Sequence, residues 1–402
     1  MAHFRARHLL ARFEKLCKFS PLVGVFGHRQ TGKTTLVEKV SKIYITFDDR
    51  GQRQEAENDP SLFLRNNQGT RTVIDECQMV PDIFPALKNW VRVHKRPGQF
   101  VLTGSVKFTS RIGIRESLTG RMGSAELLPL TVSEILEKDL PDSVLTLLSA
   151  KDFLRLGLGM YGTRYFKREA KSFVAYLNSG GLPGICFVRD SRTRVDYLDL
   201  LLNLILDFDL RQVVETRLPL STIKSLLSYI ARNSLKPYSY AEVKREIKLS
   251  EFTQKKLLHA LESIYLIRRF RVDGAKGELF LLEDQIEEYI LSGGENERST
   301  QTITGLYRNI RAQFAYRSGE LFEFFQYRTR GGAIVPLALK ADSGIMGFIV
   351  IRASSPNLSE KRSAESFIRK YPHAKVLYLS DEAKDATALT SNQMIISPFT
   401  LL

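Results

Sequence analysis

The chain has 402 residues, 43% hydrophobic and 26% charged, which is enough for two or three domains with a sizeable buried core. No run approaches the ~18 apolar residues of a membrane span, and charges spread through the first twenty residues exclude the apolar core of a signal peptide. The net charge of +15 favours polyanionic partners, nucleic acid among them. Cys17, Cys77 and Cys186 are isolated, which argues against a disulfide framework or a zinc site and for a reducing cytoplasm.

In chain order, residues 1–20 read as a short basic amphipathic helix. Residues 21–26 form an apolar run ending at Gly27, the pattern of a buried parallel strand. A helix is expected over 33–41. Strands follow at 43–47, 72–74 and 100–102, and each ends in polar residues. Strands that alternate with helical segments make a parallel sheet with flanking helices, and ligands collect at its carboxyl ends. From 127 to 216 the pattern is helical, with a break at Gly180-Gly181-Leu182-Pro183-Gly184. Residues 220–230, 240–247 and 252–265 predict three helices. Strands at 266–272 and 278–282 around Asp273-Gly274 complete a winged-helix pattern. After a polar loop at 293–300, strands are expected at 334–339, 347–351 and 375–379, and a helix near 360–371. The expected domains are 1–20 (basic helix), 21–150 (P-loop core), 151–218 (helical connector), 219–283 (winged helix) and 284–402 (a small α/β domain).

The segment Gly27-His28-Arg29-Gln30-Thr31-Gly32-Lys33-Thr34 fits the phosphate-binding pattern G-x-x-x-x-G-K-T, between a strand and a helix as that motif requires. Glycines let the backbone wrap phosphates with amides pointing inward. Lys33 is expected to reach the β- and γ-phosphates, Thr34 to offer its hydroxyl to magnesium, and Thr35 to complete the loop. Thr72-Val73-Ile74-Asp75-Glu76 then ends an apolar strand in two carboxylates. Asp75 is expected in the magnesium shell and Glu76 as the residue that polarises the attacking water. Thr103 or Ser105, after the fourth strand, is a candidate sensor of the γ-phosphate. One of Arg111, Arg115 and Arg121 is a candidate to stabilise transition-state charge, in cis or from a neighbouring subunit.

These stretches resemble a family of prokaryotic AAA-type ATPases related to the archaeal ATPases. The resemblance runs through Gly27 to Leu36, Phe47-Asp48-Asp49, Val73 to Gln78 with Pro81, Phe100 to Ser105, Glu116 to Arg121, and Leu128-Pro129-Leu130 with Glu134. It implies ATP and Mg2+ as ligands and a P-loop ATPase followed by a winged helix and a C-terminal domain of restriction-endonuclease-like fold. Among the three arginines, it is this resemblance that singles out Arg121. The family's C-terminal metal site uses a helix after Gly-x-x-x-Glu, then an Asp strand and a Glu-x-Lys strand. Here Gly319 to Phe325 keeps the helix, but Pro336 stands for the aspartate, Val350 for the glutamate and Arg352 for the lysine. By this resemblance the nuclease-like domain is degenerate and does not cut. Glu320 and Glu323 are then expected to serve helix structure. The family's short Arg-Asp segment reads Asp207-Phe208-Asp209-Leu210 in this chain.

Residues 219–273 hold eleven Lys/Arg against five Asp/Glu. Lys255 and Lys256 on the third helix and Arg268, Arg269 and Arg271 on the wing are candidate DNA phosphate contacts. No set of residues suited to reading bases stands out, so binding is expected to be non-specific. Two readings stay open: an ATPase acting with DNA, and an ATP-driven switch or scaffold for protein contacts, either of them with assembly into a homo-oligomer. No membrane association is expected.

Overall fold

A computed structural model of the chain describes residues 4–69, 71–107, 120–156, 166–317 and 320–402. Arg111, Arg115, residues 116–119 and Gly319 lie outside the described residues. The first sheet has the order β2-β3-β4-β1-β5. Its strands are β1 (Leu22–Phe26), β2 (Ile43–Thr46), β3 (Thr72–Asp75), β4 (Phe100–Gly104) and β5 (Met122–Glu126), and every pairing is parallel. With helices on both faces, this is the parallel sheet of a P-loop NTPase fold. Side chains alternate across it. Leu22, Phe26, Ile74, Phe100 and Leu102 pack under α3 (Arg50–Asn58), α4 (Pro60–Asn66) and α5 (Ile83–Val93). Val23, Val25, Val73 and Val101 face α1 (Leu9–Phe19) and α2 (Lys33–Glu38). Each such side chain stabilises the sheet by roughly 1.5–3 kcal/mol, and double-sided burial explains the continuous apolar runs. β5 was not anticipated, because Met-Gly-Ser-Ala-Glu lacks an apolar run; it pairs along the full length of β1.

The helical stretch comprises α6 (Val132–Ile135), α7 (Ser143–Ser149), α8 (Lys167–Ser179), α9 (Ser191–Leu204), a π-helical turn at Ile205–Asp209 and α10 (Leu210–Val213). Three helices follow: α11 (Leu220–Arg232), α12 (Tyr240–Ile247) and α13 (Glu251–Ser263). Ser239 and Ser250 cap α12 and α13 by accepting from Glu242 N and Thr253 N, the usual satisfaction of orphan amides at a helix start. A hairpin of β6 (Ile267–Asp273) and β7 (Glu278–Leu282) completes the unit.

The hairpin does not end there. β6 also pairs in parallel with β8 (Phe322–Arg328), so one eight-stranded sheet runs β12-β13-β11-β10-β9-β8-β6-β7 across the expected boundary at 283/284. Its other strands are β9 (Ile334–Ala341), β10 (Gly344–Val350), β11 (Lys375–Leu379), β12 (Thr387–Ala388) and β13 (Gln393–Ile396). The helix expected after Gly319 is therefore corrected: residues 322–328 are a strand antiparallel to β9, as suits their density of aromatic side chains. Glu323 pairs with Arg271 at 3.2 Å and Glu320 accepts from Ser343, so neither serves a helix.

The expected loop at 293–300 runs into α15 (Arg298–Ala315), which follows α14 (Gln285–Leu291); the helix near 360–371 is α16 (Leu358–Lys370). α15 is buried all round from Thr302 to Phe314. Leu306, Ile310 and Phe314 join the core of the second sheet, while Ala312 joins the core under β1. One helix thus ties the two cores together.

Candidate nucleotide site

The loop after β1 holds its shape through two glycines. Gly27 has φ +150°, and a Cβ there would lie 2.3 Å from the carbonyl oxygen of Leu127, the residue after β5, so the loop touches the backbone at that point. Gly32 has φ +92° as it enters α2, a conformation costly for residues with a side chain. Lys33 Nζ donates to the carbonyls of Gly27 at 3.1 Å and His28 at 2.9 Å, and Thr31 Oγ1 also donates to His28 O, at 2.9 Å. Burial lowers the Lys33 ammonium from its ordinary pKa, only partly offset by Glu76, Asp75 and Asp209.

Asp75, at the end of β3, gathers donors. Its Oδ2 accepts from Thr34 Oγ1 at 2.8 Å and from the Tyr44 hydroxyl at 2.7 Å. Its Oδ1 accepts from Thr103 Oγ1 and, at 3.1 Å, from the amide of Glu76. Glu76 occupies the left-handed region at φ 51°, ψ 40°. Its carboxylate accepts from Gln78 Nε2. Burial raises the Glu76 carboxyl, opposed by Lys33 and Gln78. Ser105 lies one residue past β4, buried, its hydroxyl without a hydrogen-bond partner among the described residues. The structure thus brings Lys33, Thr34, Asp75, Glu76 and Thr103 together, with Thr35 exposed on the rim. A hydroxyl and a carboxylate 2.8 Å apart at Thr34 and Asp75 form a hard oxygen pair of the kind that suits Mg2+.

Arg121 is placed elsewhere. It precedes Met122, which pairs with Leu22 at the amino end of β1, and its carbonyl accepts from Ser20 Oγ. The phosphate loop leaves the opposite end, after Phe26. A finger role in cis is therefore corrected, because a strand's length of about 3.3 Å per residue separates them.

Several site residues were not legible in the sequence. Tyr44 is one. Asp209 is another: it is buried and accepts from Arg29 Nη1 at 2.8 Å. Within the loop, the buried His28 ring meets Glu287 at 3.0 Å. Behind these lies a buried ion network. Glu283 pairs with Arg311 at 2.8 Å and Arg268 at 2.5 Å, and both arginines also reach Glu126. Arg308 pairs with Glu288 at 2.7 Å. Nothing in the sequence marks the charges at 283–288 and 308–311; burial makes them a network. Burial alone would raise the Glu283 carboxyl, but Arg268 and Arg311 outweigh it and hold it well below the ordinary range.

The network changes how the expected wing cations stand. Arg268 is half of a buried pair, Arg269 meets Glu262 and Glu278, and Arg271 meets Glu323. Lys255 pairs with Glu251, and Lys256 donates to the Glu215 carbonyl. In the second sheet, Pro336 and Val350 lie on β9 and β10, and Arg352 pairs with Glu297 at 3.0 Å.

Beside Thr31, Gly32 and Thr35 opens a cavity of about 800 Å³, mostly apolar, walled by Phe4, Leu10, Phe187, Val188 and Tyr197. Pro183 and Gly184 close one side. Among the described residues no helix is long and apolar enough to cross a membrane.

Residues 20–136 match the sequence model of a family described as an AAA domain. Residues 170–273 match a domain of unknown function, DUF8612. Two curated relatives, Uncharacterized protein Rv2008c of Mycobacterium tuberculosis and Mb2031c of Mycobacterium bovis, are each 29% identical over 267 residues, 65% of this chain and 52% of theirs. The chain spans about half the length of these relatives. Among solved structures, the Walker-type ATPase PABY2304 of Pyrococcus abyssi is similar at TM-score 0.40 and 14% identity, covering 72% of this chain and 96% of its own. A point variant of Thermotoga maritima RuvB gives 0.32 and 13%, covering 72% and 95%. Superpositions this loose say nothing of this chain's substrates.

Proposed function

Residues 20–136 match an AAA domain on a P-loop fold, and from that premise we propose that the chain binds ATP with Mg2+ and hydrolyses it. The observation that carries this is the joining of Thr34 to Asp75 at 2.8 Å, with Glu76 next in line. Lys33 exchanges two loop carbonyls for phosphate oxygens; an ammonium lowered by burial gains most from an anion. Thr34 and Asp75 hold the cation, which when bound neutralises phosphate charge. Glu76, raised by burial and steadied by Gln78, orients water and accepts its proton. The apolar cavity beside the loop receives the base and ribose. Phosphate release from MgATP by the purified protein, absent in Lys33→Ala, is the test; equal release by both sinks the proposal.

The DNA reading shifts its ground. With Arg268, Arg269 and Arg271 engaged by carboxylates, and Lys255 by Glu251, phosphate contact falls to α12 and α13, where Lys244, Lys248 and Lys256 are exposed and Phe252 is 79% exposed. ATPase stimulation by duplex or single-stranded DNA that fades with salt supports it. Indifference to DNA supports the alternative, an ATP-driven switch for protein contacts. The second sheet, with Pro336 and Arg352 at the ligand positions of the resembled nuclease, does not cleave nucleic acid in this proposal. If the oligomer supplies an arginine, Arg121 enters from a neighbouring copy.

A further inference from the structure

His28 stands second in the phosphate loop, and its ring is fully buried, as is the Glu287 side chain it meets. Its Nδ1 lies 2.7 Å from the Arg29 carbonyl oxygen. A carbonyl only accepts, so Nδ1 carries a hydrogen. In a neutral ring Nε2 would then be bare, and it would face Glu287 Oε1, 3.0 Å away, lone pair to lone pair. A proton therefore lies between them. The approach is bent, and neither atom makes an aligned hydrogen bond, so charge does most of the holding.

What the pair holds reaches further. Glu287 Oε2 accepts from the Asp284 amide at 3.0 Å, closing the cap of α14. Asp284 Oδ2 accepts from the Gly181 amide at 2.9 Å. Gly181 O accepts from Leu130 N at 2.7 Å, and Pro183 and Gly184, just beyond, wall the cavity. On the other side, the His28 carbonyl is where Lys33 Nζ rests. A continuous path thus runs from the loop lysine through His28, Glu287 and Asp284 to the cavity wall.

We propose that His28 is a positioning residue of the nucleotide site: gripped by Glu287, it holds the phosphate loop and the Gly181 wall in one register, so that nucleotide affinity depends on this contact. The proposal rests on the reading of this site as a nucleotide site. Among the described residues, the charged groups around the ring are Glu287 and Glu283, with Asp284 behind Glu287, Arg29 and Lys33 on its own loop, and Arg268 and Arg311 beyond Glu283. Burial alone would lower the imidazole, but Glu287 and then Glu283 outweigh it and raise it above the ordinary histidine value. A raised group keeps its contribution at low pH and loses it as pH climbs through the folded value.

The test measures KM and kcat for MgATP from about pH 6 to about pH 9.5 in the wild type, His28→Gln and Glu287→Gln. In the wild type, KM is flat at low pH and rises about tenfold once the imidazolium is lost, with kcat changing less than about twofold. His28→Gln starts about tenfold high in KM and stays flat, and Glu287→Gln moves the rise to lower pH. A His28→Gln protein that keeps the wild-type pH profile overturns the proposal. If that variant does not fold, Glu287→Gln carries the same comparison. The His28 ring signal, followed by NMR without nucleotide, must titrate above the ordinary range and fall in Glu287→Gln; a histidine at or below that range also overturns the proposal. A wild type that does not bind or turn over ATP while His28 titrates as stated removes the ATPase reading, whereas turnover with a pH-indifferent KM removes the role of His28.

Discussion

Arg29 of the phosphate loop donates to Asp209 of the π-helical turn at 2.8 Å, and its guanidinium lies 5.8 Å from the centre of the Phe208 ring. Residues 180 positions apart thereby fix the outer flank of the loop. Asp209 stands in the segment where the resembled family carries a short Arg-Asp motif. In this chain the π-helical turn aims the carboxylate inward, where the Arg29 side chain is only partly exposed. Asp209→Ala is expected to cost about 1–3 kcal/mol, read as a lower denaturant midpoint. It should also raise KM for MgATP several-fold, since a less ordered loop binds less tightly.

Glu76→Gln keeps the shape and loses the base. Turnover is expected to fall roughly 10²–10⁴-fold while MgATP still binds. Lys33→Ala is expected to lose both. Equilibrium binding of a fluorescent ATP analogue separates the two. A Glu76→Gln protein with unchanged turnover removes Glu76 as the base, and wild-type turnover no higher than that of Lys33→Ala marks the chain as a nucleotide binder only.

Gly27 answers to backbone contact. Gly27→Ala puts a methyl 2.3 Å from the Leu127 carbonyl at φ +150°, and either β5 or the loop must move. A loss of about 1–3 kcal/mol follows, together with loss of nucleotide binding even in protein that remains folded by circular dichroism.

The Glu283 network is a stability device with a pH signature. Glu283→Gln leaves Arg268 and Arg311 short of their buried counter-charge and should cost about 3–5 kcal/mol. The folded carboxyl is held below its unfolded value by the two guanidiniums. Its contribution is therefore full above the ordinary glutamate range and lost as pH falls through the lower folded value. Melting temperatures of wild type and Glu283→Gln should differ most near neutrality and converge in acid. A gap that widens toward acid contradicts the assignment.

Sequence alone was enough to place the parallel sheet and the phosphate loop. Double-sided burial demands continuous apolar runs, and phosphate chemistry demands Gly27, Gly32, Lys33 and Thr34 at set spacing, so both leave local marks. Thr34 and Asp75 were each expected at the cation, but their direct contact at 2.8 Å came from the fold, which brings the start of α2 to the end of β3. Tertiary structure alone decided the rest. β5 has no apolar run because its identity comes from pairing with β1. Residues 322–328 are a strand because β9 lies beside them, and the hairpin at 267–282 becomes part of a larger sheet because β8 does the same. Asp209, Glu283 and Glu287 carry no local mark of their role, and His28, legible as part of the phosphate loop, carries none of its contact with Glu287. Their meaning depends on partners far away in sequence and on exclusion from water, where an unpaired charge is costly and a paired one is held in place.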